Sequence, residues 1–182
     1  MKSVFALALV LTVSGCGGGS TSTEPRTFDL GLAAPSAAFP AVRIASVRAV
    51  VPFEATDMQY RLAYRNASEI AAFASSRWAA PPAELLRKQL LRTAHEKQGK
   101  CALDIEIQEF TQVFSAKDAS EARIEVRAAL SNGPARIASR GIALSEPGAG
   151  ADAASGAAAM ARAADRLMQE LAAWVSNQAA CA

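Results

Sequence analysis

Alternating apolar and polar positions along much of the chain predict β-strands that bury one face. The clearest run covers 102–108, where Leu103, Ile105 and Ile107 alternate with polar residues. Similar runs predict strands over 27–32, 42–51, 60–65, 70–77, 124–130 and 136–144. The pattern therefore predicts a sheet of about six to seven strands.

Turn-forming residues between these runs predict which strands are neighbours. Asn-Ala-Ser at 66–68 predicts a hairpin between the third and fourth strands, and Asn-Gly-Pro at 132–134 predicts a tight turn between the last two. We expect the last three strands to form an antiparallel meander with one face in water. Phe110 and Phe114 fall out of phase with Ile107, which predicts a bulge or a twist in a long strand.

Two stretches instead have apolar residues every three or four positions, which is typical of a helix packed on one side. The first, 82–98, begins at Pro82 and ends before Gly99, a residue suited to the end of a helix. The second, 153–177, places on one face Met160, Ala164, Leu167, Leu171 and Trp174. We therefore predict an α+β fold, with a mainly antiparallel sheet of about six to seven strands packed against two long helices.

The N-terminal residues form a targeting segment. Lys2 supplies a positive charge, and the apolar run over 4–13 is too short to cross a bilayer as a helix. The run ends in Val-Ser-Gly-Cys at 13–16, the pattern of a bacterial lipobox, in which small residues admit the peptidase and the cysteine thiol takes the lipid. An ordinary signal peptide with a chance cysteine is the alternative. We predict a lipoprotein signal peptide over 1–15 and lipidation of Cys16.

A polar, glycine-rich tether follows the lipobox. Residues 16–26 are rich in Gly, Ser and Thr, which bury little and favour a flexible chain. Position 17 is Gly and not the Asp that in enteric bacteria commonly holds lipoproteins at the inner membrane. We therefore expect a lipid anchor in the outer membrane, on its periplasmic face, with the inner membrane as the alternative. Residues 27–182 are predicted to form a single α/β sandwich domain.

Composition supports one globular domain and argues against nucleic acid as a partner. Of 182 residues, 51% are hydrophobic and 20% are charged, which is enough for a sizeable core. The formal net charge of +2 is too small to indicate binding to nucleic acid or to a strongly acidic partner.

No pattern in the chain indicates catalysis. His95 is the single histidine, and it stands near a predicted helix end with no nucleophile pattern beside it. Asp104 and Glu106 share the polar face of a strand, which fits a solvated surface better than an acid–base pair. No group of Cys or His residues has the spacing of a metal site. We therefore expect a protein that is not an enzyme and holds no cofactor or metal.

Two cysteines remain besides Cys16. Cys101 precedes a predicted strand, and Cys181 is the next-to-last residue. Because the bacterial envelope is oxidising, we predict a disulfide between Cys101 and Cys181. Two unpaired thiols are the alternative, since connectivity does not follow from sequence alone.

Several short motifs follow one another along the mature chain. They are Phe-Asp-Leu at 28–30, Val-Val-Pro-Phe at 50–53, Met-Gln-Tyr-Arg-Leu at 58–62, Ser-Arg-Trp-Ala-Ala-Pro-Pro at 76–82, Leu-Leu at 85–86, Glu-Phe-Thr-Gln-Val-Phe at 109–114 and Ala-Ala-Trp-Val at 172–175. Together with the lipobox they resemble the ABC-type transport auxiliary lipoproteins of the PqiC/YmbA type. The Arg-Trp-x-x-Pro-Pro part is the most specific. Many members of that family have a stretch similar to Leu-Asp-Arg-Pro where this chain has Phe-Glu-Ala-Thr-Asp at 53–57, which indicates a divergent branch.

The resemblance implies a non-enzymatic subunit of an MCE-type ABC transporter, which moves phospholipid or other hydrophobic molecules across the envelope. The implied partners are an MCE-type substrate-binding protein and the ABC permease and ATPase. Phospholipid and further copies of the chain are additional candidates. Two alternatives stay open: a structural envelope lipoprotein that scaffolds an outer-membrane or cell-wall assembly, and a periplasmic lipid-binding carrier.

A candidate docking surface lies where the fourth predicted strand meets the first helix. Arg77 and Trp78 stand at this corner, and Arg and Trp are enriched at interface hot spots. Leu85 and Leu91 diverge from the main apolar face of the helix, which would place an apolar rim beside Trp78. We therefore predict docking through Arg77, Trp78, Leu85 and Leu91. The alternative is that Trp78 fills the core, as large aromatic side chains usually do.

Overall fold

The computed structural model describes residues 24–32, 39–93 and 99–181. The predicted signal peptide, Cys16 and His95 lie outside this part of the chain. The strands are β1 (Arg26–Phe28), β2 (Arg43–Ala49), β3 (Asp57–Leu62), β4 (Ala71–Trp78), β5 (Ala102–Phe114), β6 (Ser120–Asn132) and β7 (Ala135–Pro147). The helices are α1 (Pro82–Thr93) and α2 (Ala153–Ser176), and a short 3-10 turn, Ala179–Cys181, follows α2.

The strands form one seven-stranded sheet in which parallel and antiparallel pairs are mixed. The order across the sheet is β1-β4-β3-β5-β6-β7, and β2 also pairs with β5. β1 runs parallel to β4, and both β2 and β3 run parallel to β5. The prediction of a mainly antiparallel sheet is therefore correct only in part, because three of the six strand pairs among the described residues are parallel. Side chains alternate between the two faces in the same way in parallel and in antiparallel strands, so the apolar pattern does not distinguish the two arrangements.

β5 is the strand to which the two halves of the sheet attach. β2 pairs with its first half, at 102–107, and β3 pairs with its second half, at 111–114, so β2 and β3 lie along the same edge of β5. β6 occupies the other edge. A register shift between Ile107 and Glu109 makes Gln108 a bulge, which confirms the irregularity predicted for this strand.

Two predicted sets of neighbours are also confirmed. β3 and β4 form an antiparallel pair, and β5, β6 and β7 form the antiparallel meander. Along β6, Ile124, Val126 and Ala128 are buried, whereas Glu125 and Arg127 between them are partly or largely exposed. The meander therefore has one buried face and one face in contact with water.

Both helices pack on the same face of the sheet. α1 lies against β2, α2 lies against β6 and β7, and Gln89 of α1 donates a hydrogen bond to Asp165 of α2. Fully buried side chains fill the space between helices and sheet, among them Leu86, Leu90, Leu103, Ile105, Ile124, Met160, Leu167 and Leu171. We call the opposite side of the sheet, which carries Arg48, Arg61, Glu106, Glu109, Glu125 and Arg127, the open face.

The two helices differ in length, so the prediction of two long helices is wrong for the first. α2 has 24 residues, and α1 has 12. Pro82 opens α1, where a missing N–H and a fixed φ are favourable. Asp152 caps α2, because its side chain accepts a hydrogen bond from the backbone N–H of Ser155.

Candidate functional site

Trp78 and Leu85, two of the predicted docking side chains, lie in the core. Trp78 is 3% exposed and Leu85 is 5% exposed. β1 pairs with β4 on its outer side and places Phe28 next to Trp78, so a further strand encloses the corner at which exposure was expected. This corrects the expected docking surface, and for Trp78 the structure agrees with the alternative that it fills the core.

Arg77 and Leu91 are exposed, but the structure does not bring them together. Leu91 is 48% exposed on α1. Arg77 is exposed and lies opposite Asp57 of β3. Successive side chains of a strand point to opposite faces, so Arg77 lies on the open face because its neighbour Trp78 faces the core. Since α1 covers the other side of the sheet, the four residues do not form one surface.

The two cysteines of the described domain are joined to each other. A disulfide links Cys101, just before β5, to Cys181 in the turn after α2, with 5.3 Å between the Cα atoms. Both residues are buried. The bond ties the end of α2 to the strand at the centre of the sheet. The loop of chain that it closes therefore contains a large part of the domain.

The two acidic residues of β5 considered for catalysis have structural partners on the open face. Asp104 accepts a hydrogen bond from the Ser46 hydroxyl, and Glu106 forms an ion pair with Arg48 at 2.7 Å. The hydrogen bond from Arg48 lowers the pKa of Glu106, which therefore stays ionised at neutral pH. Within the described residues, no group of three or more His, Cys, Asp or Glu side chains is placed to hold a metal ion.

Charged side chains of neighbouring strands lie close together on the open face. Arg61 of β3 forms a two-fold hydrogen-bonded pair with Glu109 of β5. Glu125 of β6 lies opposite Glu109. Arg127 of β6 lies opposite Glu106. This face is therefore a charged surface with few large apolar side chains.

At the edge of the sheet, α2 holds one end of β7 through arginines. Glu146 of β7 forms ion pairs with Arg162 and Arg166 of α2. The same two arginines also donate hydrogen bonds to the backbone carbonyls of Pro147 and Ser145. The hydrogen bond to Glu146, together with the charge of that carboxylate, raises the pKa of Arg166 above its ordinary value. These contacts fix the C-terminal part of β7 beneath α2.

Several hollows open on the described surface, and two of them have volumes of a few hundred Å³. One of about 340 Å³ lies beside the β3–β4 hairpin and is lined by Tyr60, Leu62, Arg65, Asn66, Glu69 and Ala71. The other, of about 300 Å³, lies on the open face between β6 and β7 and is lined by Gln108, Glu125, Val126, Arg127, Gly141, Ile142 and Ala143. Both have charged as well as apolar walls.

The edge of β7 is a candidate site that was not predicted from the sequence. A usable signal was present, because Ser139, Gly141, Ala143 and Ser145 are small residues at alternate positions and Pro147 ends the strand. Such a strand leaves its neighbours' long side chains uncovered. The position of β7 at the end of the sheet, however, follows only from the topology.

Among the helices of the described residues, none combines the length and the apolar character that crossing a bilayer requires. No protein-family model and no curated protein sequence matches the chain.

Comparison with solved structures identifies proteins that share the fold. A crystal structure of a protein of the DUF330 family from Xanthomonas campestris matches with a TM-score of 0.69 at 21% identity, over 81% of this chain and 93% of that protein. A crystal structure of an uncharacterized protein matches with a TM-score of 0.67 at 12% identity, over 84% of this chain and 99% of that protein. The chain therefore has the fold of this DUF330 protein across nearly all of the domain.

Proposed function

We propose that this chain is a lipid-anchored periplasmic lipoprotein, the accessory subunit of an MCE-type ABC transporter, and that it acts by docking partner proteins and not by catalysis. The transported molecule would be phospholipid or another hydrophobic compound. Cys16 would carry the anchor, most simply in the outer membrane. The partners would be the MCE-type substrate-binding protein and, through it, the permease and ATPase.

The observation that carries this proposal is a lipobox cysteine placed ahead of a domain with the fold of a DUF330 protein. The PqiC/YmbA-type lipoproteins are DUF330 proteins. The motifs in the sequence and the similarity in fold therefore point to the same group, although the first rests on short stretches and the second on backbone geometry.

The arrangement of the sheet suits a protein that is anchored at one side and docks at the other. β1 directly follows the tether, and β7 lies at the opposite edge of the sheet. Five strand spacings of about 4.8 Å separate β1 from β7, which places the two edges roughly 24 Å apart. A partner that binds at β7 would therefore be held away from the anchored side of the domain.

The lipid-carrier alternative has less support from the described part of the chain. A carrier needs an enclosed apolar cavity between the sheet and the helices. In that layer, side chains such as Leu103, Ile105, Leu167 and Leu171 are fully buried against one another. The two hollows described above open instead at the hairpin and on the open face, and their walls are partly charged.

Affinity purification of the tagged, lipidated protein from detergent-solubilised envelopes tests the proposal. We expect an MCE-type protein to co-purify, with the permease and ATPase recovered after mild crosslinking. The Cys16→Ala protein, which lacks the anchor but keeps the domain, is the control for docking that is independent of the membrane. Enrichment of outer-membrane or cell-wall assembly proteins without any MCE-type protein would contradict the transporter role and favour the scaffold alternative.

A further inference from the structure

β7 presents an unpaired edge at the end of the sheet. Among the described residues, no strand pairs with its outer side. The strand is 13 residues long, and most of its residues are exposed. Unpaired backbone N–H and C=O groups along such an edge are a template for pairing with another extended chain.

The C-terminal end of this edge is capped, and the middle is open. Arg162 and Arg166 donate to the carbonyls of Pro147 and Ser145, so these carbonyls are directed away from β6. Pro147 also has no N–H to offer. In an antiparallel strand, alternate residues direct their backbone groups to the same side, so those of Ser139, Gly141 and Ala143 also point outward. In the described chain, no side chain donates a hydrogen bond to these three residues.

Small side chains at this part of the edge leave two charged residues within reach. Gly141 lies opposite Arg127, and Ala143 lies opposite Glu125. Because Gly141 has no side chain and Ala143 has only a methyl group, the hollow of about 300 Å³ opens above them and is bounded by Arg127 and Glu125. A side chain on a strand added to β7 can therefore extend across β7 to reach β6.

Neither of these charges is held in a hydrogen bond or an ion pair in the described structure. Glu125 makes no hydrogen bond or ion pair there, and its neighbour across the ladder is Glu109, a like charge that Arg61 already holds. Arg127 also makes no hydrogen bond or ion pair there; it lies opposite Glu106, which is paired with Arg48, and its charge acts on that carboxylate from across the ladder. Two charges of opposite sign thus stand two residues apart beside an open strand edge.

We propose that the β7 edge over 139–143 accepts an extended segment of a partner protein, which adds to the sheet as a further strand. The segment carries one acidic and one basic side chain two residues apart, with the acidic group near Arg127 and the basic group near Glu125. Backbone hydrogen bonds to Ser139, Gly141 and Ala143 supply affinity, and the two charges fix the register. The β7 edge would be the surface through which the proposed docking takes place. The inference rests on the geometry of this edge and not on the identity of the transporter.

A second copy of this chain is a poorer occupant than a different protein. In an edge-to-edge pair centred on Gly141, the β7 strand of the other copy would present Ser139, Gly141 and Ala143 to the open face. These residues bring no charge to Glu125 or Arg127. The charge pattern therefore favours a segment whose own sequence alternates charged residues with others.

Binding of two short peptides to the full-length protein in detergent micelles tests the proposal. Both peptides alternate Thr and Val and differ only in the order of a central charged triplet, Lys-Val-Glu or Glu-Val-Lys. We expect one order to bind about tenfold more tightly, since two cross-strand charge pairs change from unfavourable to favourable. The bound peptide should shift the amide resonances of Ser139, Gly141 and Ala143 and slow their hydrogen exchange.

Three variants make the test specific. The double variant E125R/R127E should reverse the peptide preference. The matched double variant E121R/R123E exchanges two charges on the same strand and face that already form an ion pair with each other. This variant should leave the peptide preference unchanged. Gly141→Pro removes an outward N–H without removing a hydrogen bond to β6, so both peptides should lose affinity while the melting temperature changes little.

Several results would overturn the proposal. These are equal affinity of the two peptides for the wild type, retained binding by the Gly141→Pro variant, or no shift at 139–143 at millimolar peptide. A concentration-dependent dimer that Gly141→Pro abolishes would assign the edge to a second copy and overturn the partner chemistry. None of these readouts uses the transporter, so the edge proposal and the transporter proposal can fail separately.

Discussion

Gln89 of α1 donates a hydrogen bond of 3.0 Å to Asp165 of α2 and so joins the two helices above the core. Gln89 itself is 6% exposed. Burial raises the pKa of the Asp165 carboxyl, an effect that the charge of Arg92 partly offsets. The contact therefore places an ionisable group where its charged form is less favourable than in the unfolded chain.

Replacing this carboxylate should raise stability at neutral pH. A raised pKa means that the folded state binds a proton more readily, so stability decreases as pH rises from the ordinary value of 3.8 through the raised pKa. Asp165→Asn keeps the oxygen that accepts from Gln89 and removes the charge. We expect the variant to be more stable than the wild type at pH 7 by less than about 1 kcal/mol, and to lose this advantage below the ordinary pKa of Asp.

Asp152, the N-cap residue of α2, is a control for which the opposite change in stability is expected. The backbone hydrogen bond from Ser155 lowers the pKa of Asp152, so its contribution to stability is present at neutral pH and is lost as pH falls through the lowered pKa. Asp152→Asn should therefore lower stability at pH 7. Urea unfolding of both variants between pH 3 and pH 7 measures the two trends, and a stabilised D152N or a destabilised D165N at pH 7 would contradict them.

Removal of the Trp78 ring should destabilise the fold strongly. The ring meets Phe110 edge-on, with 5.4 Å between the centroids, inside the core. Trp78→Ala should lower the free energy of unfolding by about 3–5 kcal/mol. Trp78→Phe should cost much less, because it keeps an aromatic ring and removes an indole N–H that is buried without a partner among the described residues.

Arg77, the neighbouring residue on the open face, is the matched control for Trp78. Because its side chain is exposed, Arg77→Ala should change stability by no more than about 0.5 kcal/mol. Urea-induced unfolding followed by circular dichroism gives all three values. A Trp78→Ala protein with an unchanged transition midpoint would show that Trp78 is not a core residue.

Two leucines of α1 should contribute differently to stability because they differ in burial. Leu85 is 5% exposed and Leu91 is 48% exposed. Leu85→Ala should cost about 2–5 kcal/mol of stability, whereas Leu91→Ala should cost no more than about 0.5 kcal/mol. Thermal unfolding of the two variants measures the difference. If Leu91 contributes to docking, Leu91→Ala should weaken co-purification of an MCE-type protein while the melting temperature stays the same.

Loss of the disulfide should lower stability by an amount set by the length of the loop that it closes. Cys101 and Cys181 are 80 residues apart in the sequence. For a loop of this length, the chain-entropy relation gives about 4–5 kcal/mol as an upper figure. The double variant C101S/C181S should therefore unfold at lower urea than the wild type. Mass spectrometry without reductant should detect the linked peptides, and two free thiols in protein from the periplasm would refute the pairing.

Cys16 should determine whether the protein remains with the membrane. A lipid-modified cysteine binds the bilayer through its acyl chains, and each buried methylene contributes about 0.8 kcal/mol. Cys16→Ala should move the protein from the membrane fraction to the soluble periplasmic fraction after osmotic shock. Fractionation followed by immunoblotting measures this, with Cys101→Ala as a control that keeps the anchor. A C16A protein that resists release by salt would contradict lipidation as the anchor.

Local sequence patterns were enough to predict the strands of the meander and the bulge in β5. Leu103, Ile105 and Ile107 alternate in one phase and Phe110 follows in the other, which requires an extra residue between them when one face is buried. The ends of the helices were partly predictable for the same reason. Pro82 marks the beginning of α1 because its lack of an N–H is tolerated only there.

Only the tertiary structure decided strand direction, the burial of Trp78 and the open edge of β7. β2 and β3 run parallel to β5, and β1 adds outside β4 next to Trp78, through pairings between residues that are distant in sequence. Likewise, Arg162 and Arg166 cap one end of β7 because α2 packs above it, and this leaves 139–143 open. The alternation of apolar and polar residues along a strand predicts which face of the sheet each side chain occupies. Which strand lies next to it in the sheet depends instead on the path of the whole chain.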